Sequence, residues 1–193
     1  MVLDETIYRT GLLYVGAQPR VKERMRLRDF SILLVDDDAH DRAMITRAFR
    51  QNGVAEPIHC VSSGDEAINY LKGDGKYSDR SLFPYPSFIM SDLKMPGGDG
   101  FSVLEHLRSV PEWSIIPTLI FSGSADLDDI KKAYMLGAVS YLMKPIEFPE
   151  LRSLLKLTYD YWRECEIPEV DLTGKIFETA SQGKLGERFP QAA

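Results

Sequence analysis

The chain has 193 residues, 44% hydrophobic and 27% charged, enough for one globular domain with extensions. A net charge of −6 argues against a general nucleic-acid binder, and no apolar run is long enough to span a bilayer. The cysteines, Cys60 and Cys165, form neither a disulfide framework nor a zinc spacing, and the first residues lack the order of a signal peptide, so a reducing cytoplasm is expected.

Residues 1–28 read as an N-terminal extension ending in the charge-rich PRVKERMRLRD, a solvated arm or a docking segment. Strand and helix then alternate over 29–166. Ser31–Asp36 (SILLVD) is a continuous apolar run, the pattern of a strand covered on both faces. Ala39–Asn52 carries Met44, Ile45, Ala48 and Phe49 at helical spacing and closes at Gly53. Pro57–Val61 reads as the second strand and Gly64–Leu71 as the second helix, with Ser63 as N-cap. Gly73–Pro86 is a long, turn-rich connection holding Tyr77, Phe83 and Tyr85, and connections of that length tend to be functional or mobile.

Phe88–Asp92 and Gly100–Ser109 form the third strand–helix unit. Thr118–Phe121 with Asp126–Leu136, and Val139–Met143 with Glu147–Glu164, complete five. Such succession predicts a doubly wound α/β fold, a parallel sheet with helices on both faces. Residues 167–193 read as a polar C-terminal tail, mobile or strapped over a neighbour.

In an open parallel sheet, ligands bind beyond the carboxyl ends of the strands, where the strand order reverses. Asp36, Asp37 and Asp38 follow the first strand, Asp92 ends the third, Ser122 ends the fourth and Lys144 follows the fifth. Singly, each has an ordinary structural use: Asp36–Asp38 as helix caps, Ser122 as a turn residue, Lys144 as a surface cation. Jointly they fall on one edge of one sheet. Carboxylates clustered without compensation repel, and a hard dication relieves them. Asp37 and Asp92 are the candidate direct Mg2+ ligands, with Asp36 acting through water or from behind the ligands and the Lys94 main-chain carbonyl as a further oxygen. Such a site can accept a phosphoryl group on a carboxylate, with Lys144 neutralising charge and Ser122 donating to a phosphoryl oxygen.

The four segments VDDD (Val35–Asp38), SDLKMPGGDG (Ser91–Gly100), FSGS (Phe121–Ser124) and YLMKP (Tyr141–Pro145) resemble the response-regulator receiver domain over about Asp29 to Glu164. The resemblance implies a five-stranded parallel sheet of order 2-1-3-4-5. It implies Asp92 as phosphoacceptor, Asp36 and Asp37 as the acidic metal-binding pair, Ser122 as switch hydroxyl, Lys144 as phosphate-contacting lysine and Tyr141 as switch aromatic. It also implies a cis Lys144–Pro145 bond and a histidine kinase or phosphotransfer protein as phosphodonor. Lys94, two residues past the acceptor, would project a cation that slows attack of water on the phosphoryl group. His40, His59 and His106 match no histidine-kinase motif and read as surface or loop residues.

On a helical wheel the last helix carries a core stripe of Phe148, Leu151, Leu155, Tyr159 and Trp162, beside a second apolar stripe of Leu154, Leu157, Tyr161 and Cys165. Leu154, Leu157, Tyr161, Trp162 and Cys165 are therefore the candidate homodimer contacts. The long connection and the ending YDYWRECEIPE resemble the phytochrome-associated single-domain response regulators, which dimerise near their last helix. Two alternatives stand beside this reading. One is an interaction scaffold of the same fold that is never phosphorylated. The other is a haloacid-dehalogenase-type phosphohydrolase, disfavoured because Leu93-Lys94 follows Asp92 where that family needs a second Asp.

Overall fold

The computed structural model describes residues 30–165, 167, 170, 174 and 175; the 1–28 extension and most of the tail lie outside the described residues. The elements alternate as β1 (Ile32–Val35), α1 (Ala39–Gln51), β2 (Ile58–Val61), α2 (Gly64–Lys72), β3 (Phe88–Ser91), α3 (Gly100–Ser109), β4 (Thr118–Ser122), α4 (Leu127–Met135), β5 (Ser140–Met143) and α5 (Phe148–Glu164). All pairings are parallel, in the order β2-β1-β3-β4-β5. This is the doubly wound receiver-like architecture expected, with the order reversing between β1 and β3.

The three central strands are buried at every residue, which is why they read as unbroken apolar runs; the edge strands β2 and β5 are partly exposed. Side chains alternate between faces. Ile32, Leu34, Phe88, Met90, Leu119 and Phe121 meet α1 and α5 through Ile45, Ala48, Phe49, Leu151 and Leu155. Leu33, Val35 and Ile89 face α2 and α3 through Ala67, Tyr70, Leu71, Val103 and Leu107, and Ile120 joins Leu93, Phe101, Leu104 and Ala133 beneath α3 and α4.

Helix starts follow the chemistry of their caps. Asp38, Ser63, Asp99 and Asp126 each accept a hydrogen bond from a first-turn backbone N–H. The Gly73–Pro86 connection is a packed structure. It contains a short 3-10 turn at Gly75–Tyr77, and the rings of Tyr70, Tyr77 and Phe83 lie 5.0–6.0 Å apart. Arg80 donates to the carbonyls of Tyr70, Leu71 and Phe83, and its guanidinium stacks 4.2 Å from the Tyr85 ring centroid. It thereby supplies a partner to the Leu71 carbonyl near the C-terminus of α2 and a second one to the Tyr70 carbonyl, which also accepts from the Gly73 N–H.

Past α5 the chain joins both cores. Ile167 is buried with the α1–α5 face and Val170 packs on the α2–α3 face, so these two residues of the expected tail are part of the domain. His59 and His106 also differ from the surface positions expected. Each has a buried Nε2 without a hydrogen-bond partner, and burial lowers both pKa values.

Candidate functional site

The sequence brings four acids to the carboxyl edge of the sheet. Asp36 follows β1, and its backbone N–H still pairs with the Val61 carbonyl (3.1 Å), so the residue is fixed by the sheet and 1% exposed. Asp37 is exposed, and Asp38 turns away to cap α1. The N–H groups of His40 and Asp41 hold the Asp38 carboxyl below its usual range. β3 delivers Asp92, whose N–H pairs with the Val35 carbonyl at 2.7 Å.

The loop leaving Asp92 is locked against its neighbours. A Cβ on Gly100 would lie 2.5 Å from the Asp92 carbonyl oxygen, so α3 can start only where no side chain intervenes. Gly98, at φ +88°, stands against α2: the Gly64 N–H donates to its carbonyl (2.9 Å) and the Asp65 N–H to that of Gly97 (3.1 Å). The MPGGDG run therefore seats the loop after Asp92 on the N-terminus of α2.

Asp36, Asp37 and Asp92 offer carboxylate oxygens all within 4.8 Å of one another. Lys144, just past β5, reaches into this cluster. Its Nζ donates to Asp36 Oδ2 at 2.8 Å, Asp92 Oδ2 at 3.0 Å and Asp41 Oδ2 at 2.8 Å. The other oxygens are held by the backbone: the Asp38 N–H donates to Asp36 Oδ1 (2.9 Å) and the Leu93 N–H to Asp92 Oδ1 (2.6 Å). Burial pushes the Asp36 carboxyl up, opposed by the hydrogen bond and charge of Lys144. Burial also disfavours the Lys144 charge, but its carboxylate partners outweigh that and hold its pKa above the usual lysine value. An all-oxygen, anionic cluster with one exposed side suits a hard divalent cation and offers nothing to a soft one.

The far side of the edge is held by side chains. Ser122, buried at the end of β4, accepts from the Ser124 N–H at 3.4 Å, and the Tyr141 hydroxyl donates to the Ser124 carbonyl at 2.8 Å. Asp129 on α4 accepts from the Ser124 hydroxyl and pairs with Lys94, both at 2.8 Å. The Lys94 ammonium is thus engaged by Asp129, not by the acidic cluster.

One expectation is corrected. No peptide bond among the described residues is cis, so Lys144–Pro145 is trans. The Lys144 N–H pairs with the Ser122 carbonyl at 2.9 Å, extending the ladder past β5, and this trans chain, lower in energy by about 0.5–1 kcal/mol, already delivers Nζ to the acids. On α5, Trp162 stacks on Phe88 (6.0 Å between centroids, 22° between planes), and Leu154, Trp162 and Cys165 are half-buried against the chain's own core. Of the five candidate dimer contacts, Leu157 and Tyr161 are exposed, at 68% and 61%.

Asp41 was missed because an acid in the first turn of a helix is favoured by the dipole anywhere. Its partner lies 103 residues away, a distance no local pattern reports.

The response regulator receiver domain family matches residues 32–156. The probable methanogenesis regulatory protein FilR2 of Methanothrix harundinacea is 33% identical over 136 residues, covering 69% of this chain and 83% of that protein. Among solved structures, the phosphorylated cyanobacterial phytochrome response regulator RcpA superposes with a TM-score of 0.67 at 30% identity, covering 72% of this chain and 99% of that one. The Mn(2+)-bound form of response regulator Rcp1, a protein of Synechocystis, superposes at 0.65 with 26% identity and the same coverage.

Proposed function

The chain belongs to the response regulator receiver family, and from that membership we propose that Asp92 is the phosphoacceptor of a two-component or phosphorelay system, with Asp36 and Asp37 as Mg2+ ligands beside it. The observation that carries this reading is the convergence of Asp36, Asp37, Asp92 and Lys144 at the sheet edge. The likeness to a phosphorylated and to a Mn(2+)-bound regulator supports it. Response regulators are signalling proteins rather than enzymes in the ordinary sense; the chemistry proposed here is the chain's own phosphorylation and its reversal.

An Asp92 carboxylate oxygen attacks the phosphorus of a phosphohistidine on a histidine kinase or phosphotransfer protein. The P–N bond breaks with its electron pair, the imidazole leaves protonated to its neutral form, and Asp92 becomes an acyl phosphate. Asp36, Asp37 and Asp92, with the Lys94 carbonyl as a further oxygen, would hold Mg2+, which would supply positive charge to the phosphoryl oxygens. Lys144 adds its ammonium, and the buried Ser122 hydroxyl donates to a third oxygen once the group is in place. Ser122 is tied to Ser124, and Ser124 to Tyr141 and Asp129, so its displacement reaches the α4–β5 surface with Tyr141 as switch aromatic.

The donor is a phytochrome-type photoreceptor kinase, by likeness to RcpA, and the setting is the cytoplasm. Among the described residues no helix is long and apolar enough to cross a membrane. The output is homodimerisation through α5, where Leu157 lines a shallow groove with Pro145, Pro149 and Leu154, beside exposed Tyr161. Intact mass after incubation with Mg2+ and acetyl phosphate tests the phosphoacceptor: one phosphoryl group is expected, absent in Asp92→Asn. Failure to gain mass, together with failure to bind beryllofluoride, would leave a non-phosphorylated scaffold of the same fold.

A further inference from the structure

Lys144 holds the two carboxylate oxygens that the backbone leaves free. The Asp38 and Leu93 N–H groups occupy Asp36 Oδ1 and Asp92 Oδ1, and the ammonium donates to Oδ2 of both residues. A dication binding to Asp36 and Asp92 must therefore share or displace that ammonium. The ammonium has three donors, and its third goes to Asp41 Oδ2 at 2.8 Å. Asp41 is no member of the acidic cluster that gathers Asp36, Asp37 and Asp92. It stands in the first turn of α1, and its side chain is 39% exposed, so water reaches it without moving the core.

We propose that Asp41 is the resting place of the Lys144 ammonium: it retains the cation when a divalent ion takes Asp36 and Asp92, and so acts as a positioning residue for metal loading and for phosphoryl contact by Lys144. This rests on the metal-binding reading above. Without Asp41 the ammonium has only the two metal-ligand carboxylates to lean on, and it competes with the incoming ion for both. With Asp41 the ammonium swings onto α1 while staying within reach of a group on Asp92. The charge of Asp41, rather than its shape, is what the ammonium needs once its other partners are taken.

The test is a double-mutant cycle on Mg2+ affinity, read by isothermal titration calorimetry on the full chain. Asp41→Ala is expected to weaken Mg2+ binding about 10-fold, the lower end of what loss of an outer-shell partner costs. In the Lys144→Met background the same change should do nothing, because the competing ammonium is gone. Asp41→Glu, which keeps the carboxylate one methylene further out, should recover most of the affinity, whereas Asp41→Asn should not. An equal loss in both backgrounds would overturn the proposal, since it would mean that Asp41 attracts the ion by charge alone. An unchanged affinity in Asp41→Ala would overturn it as well. If the wild-type chain bound no Mg2+, the metal-binding reading itself would fall, and this inference with it.

Discussion

Replacing Lys144 by Met removes the cation that pairs with Asp36, Asp41 and Asp92 and keeps a side chain of similar length. Removing one partner of a buried ion pair costs about 3–5 kcal/mol, because the other charge stays buried and uncompensated. Here only Asp36 is fully buried; Asp92 and Asp41 are 14% and 39% exposed at their side chains. Water takes up part of the loss at those two, so a cost of about 2–4 kcal/mol in metal-free buffer at pH 7 is the reasoned figure. The same structure predicts what Mg2+ does to it. A ligand at a hundredfold excess over its dissociation constant stabilises a protein by about 2.7 kcal/mol, and in the variant the ion replaces the missing positive charge without displacing an ammonium. Mg2+ should therefore bind the variant more tightly and return most of the lost stability. Urea unfolding with and without MgCl2 measures both effects, followed by the fluorescence of Trp162, which is stacked on Phe88. A metal-free variant within about 0.5 kcal/mol of wild type would refute the reasoning, as would equal Mg2+ gains in the two proteins.

Arg80→Ala should cost about 2–3 kcal/mol by stripping charged hydrogen bonds from the Tyr70, Leu71 and Phe83 carbonyls, and Arg80→Lys should recover less than half, since an ammonium has no fork. Urea unfolding checks the cost, and hydrogen exchange over 73–86 checks that the loosening is local. Glu66 gives an acid-limb prediction. Burial raises its carboxyl, but Lys76, the Ser62 N–H and hydroxyl and the Tyr77 hydroxyl outweigh that and hold the pKa at about 2 against an ordinary 4.5. The stability this adds is complete above pH 4.5 and is lost as the pH falls toward 2, so Glu66→Gln should lower stability at pH 7 by about 1–2 kcal/mol, after screening, and flatten the decline through that window. On α5, Leu157→Glu with Tyr161→Glu should abolish any dimer seen by size exclusion and leave thermal stability within about 0.5 kcal/mol of wild type, both side chains being exposed. Unchanged elution of a dimeric wild type would move the interface elsewhere.

The strands were readable because β1, β3 and β4 are covered on both faces, so their apolar runs have no polar interruption. Their exits were readable because each apolar run gives way to a polar residue: Asp36, Asp92 and Ser122 lie where the four motifs put them. What stayed hidden depends on partners distant in the chain. Asp41 and Asp129 look like ordinary first-turn acids, and only the folded chain brings Lys144 and Lys94 to them. The wheel of α5 separates apolar from polar but cannot say which apolar residues meet the same chain. Trp162 belongs to the Phe88 core and Leu157 does not, although both are large and apolar. The Gly73–Pro86 connection has the composition of a loose loop, and its order comes from Arg80 and a nest of rings.

The two walls of the acidic cleft are built like the two sides of a doorway. On the α2–α3 side, backbone meets backbone: Gly64 and Gly98 touch so closely that a methyl group on either would collide, and Gly100 presses on the Asp92 carbonyl in the same way. That jamb has no slack to give. On the α4–β5 side, beyond the β4–β5 ladder, the frame is closed by side chains, Lys94 to Asp129, Ser124 to Asp129 and Tyr141 to the Ser124 carbonyl, each a single bond that a rotamer change can break. A displacement at Asp92 would therefore meet close backbone contacts on the α2–α3 side and side-chain contacts on the α4–β5 side.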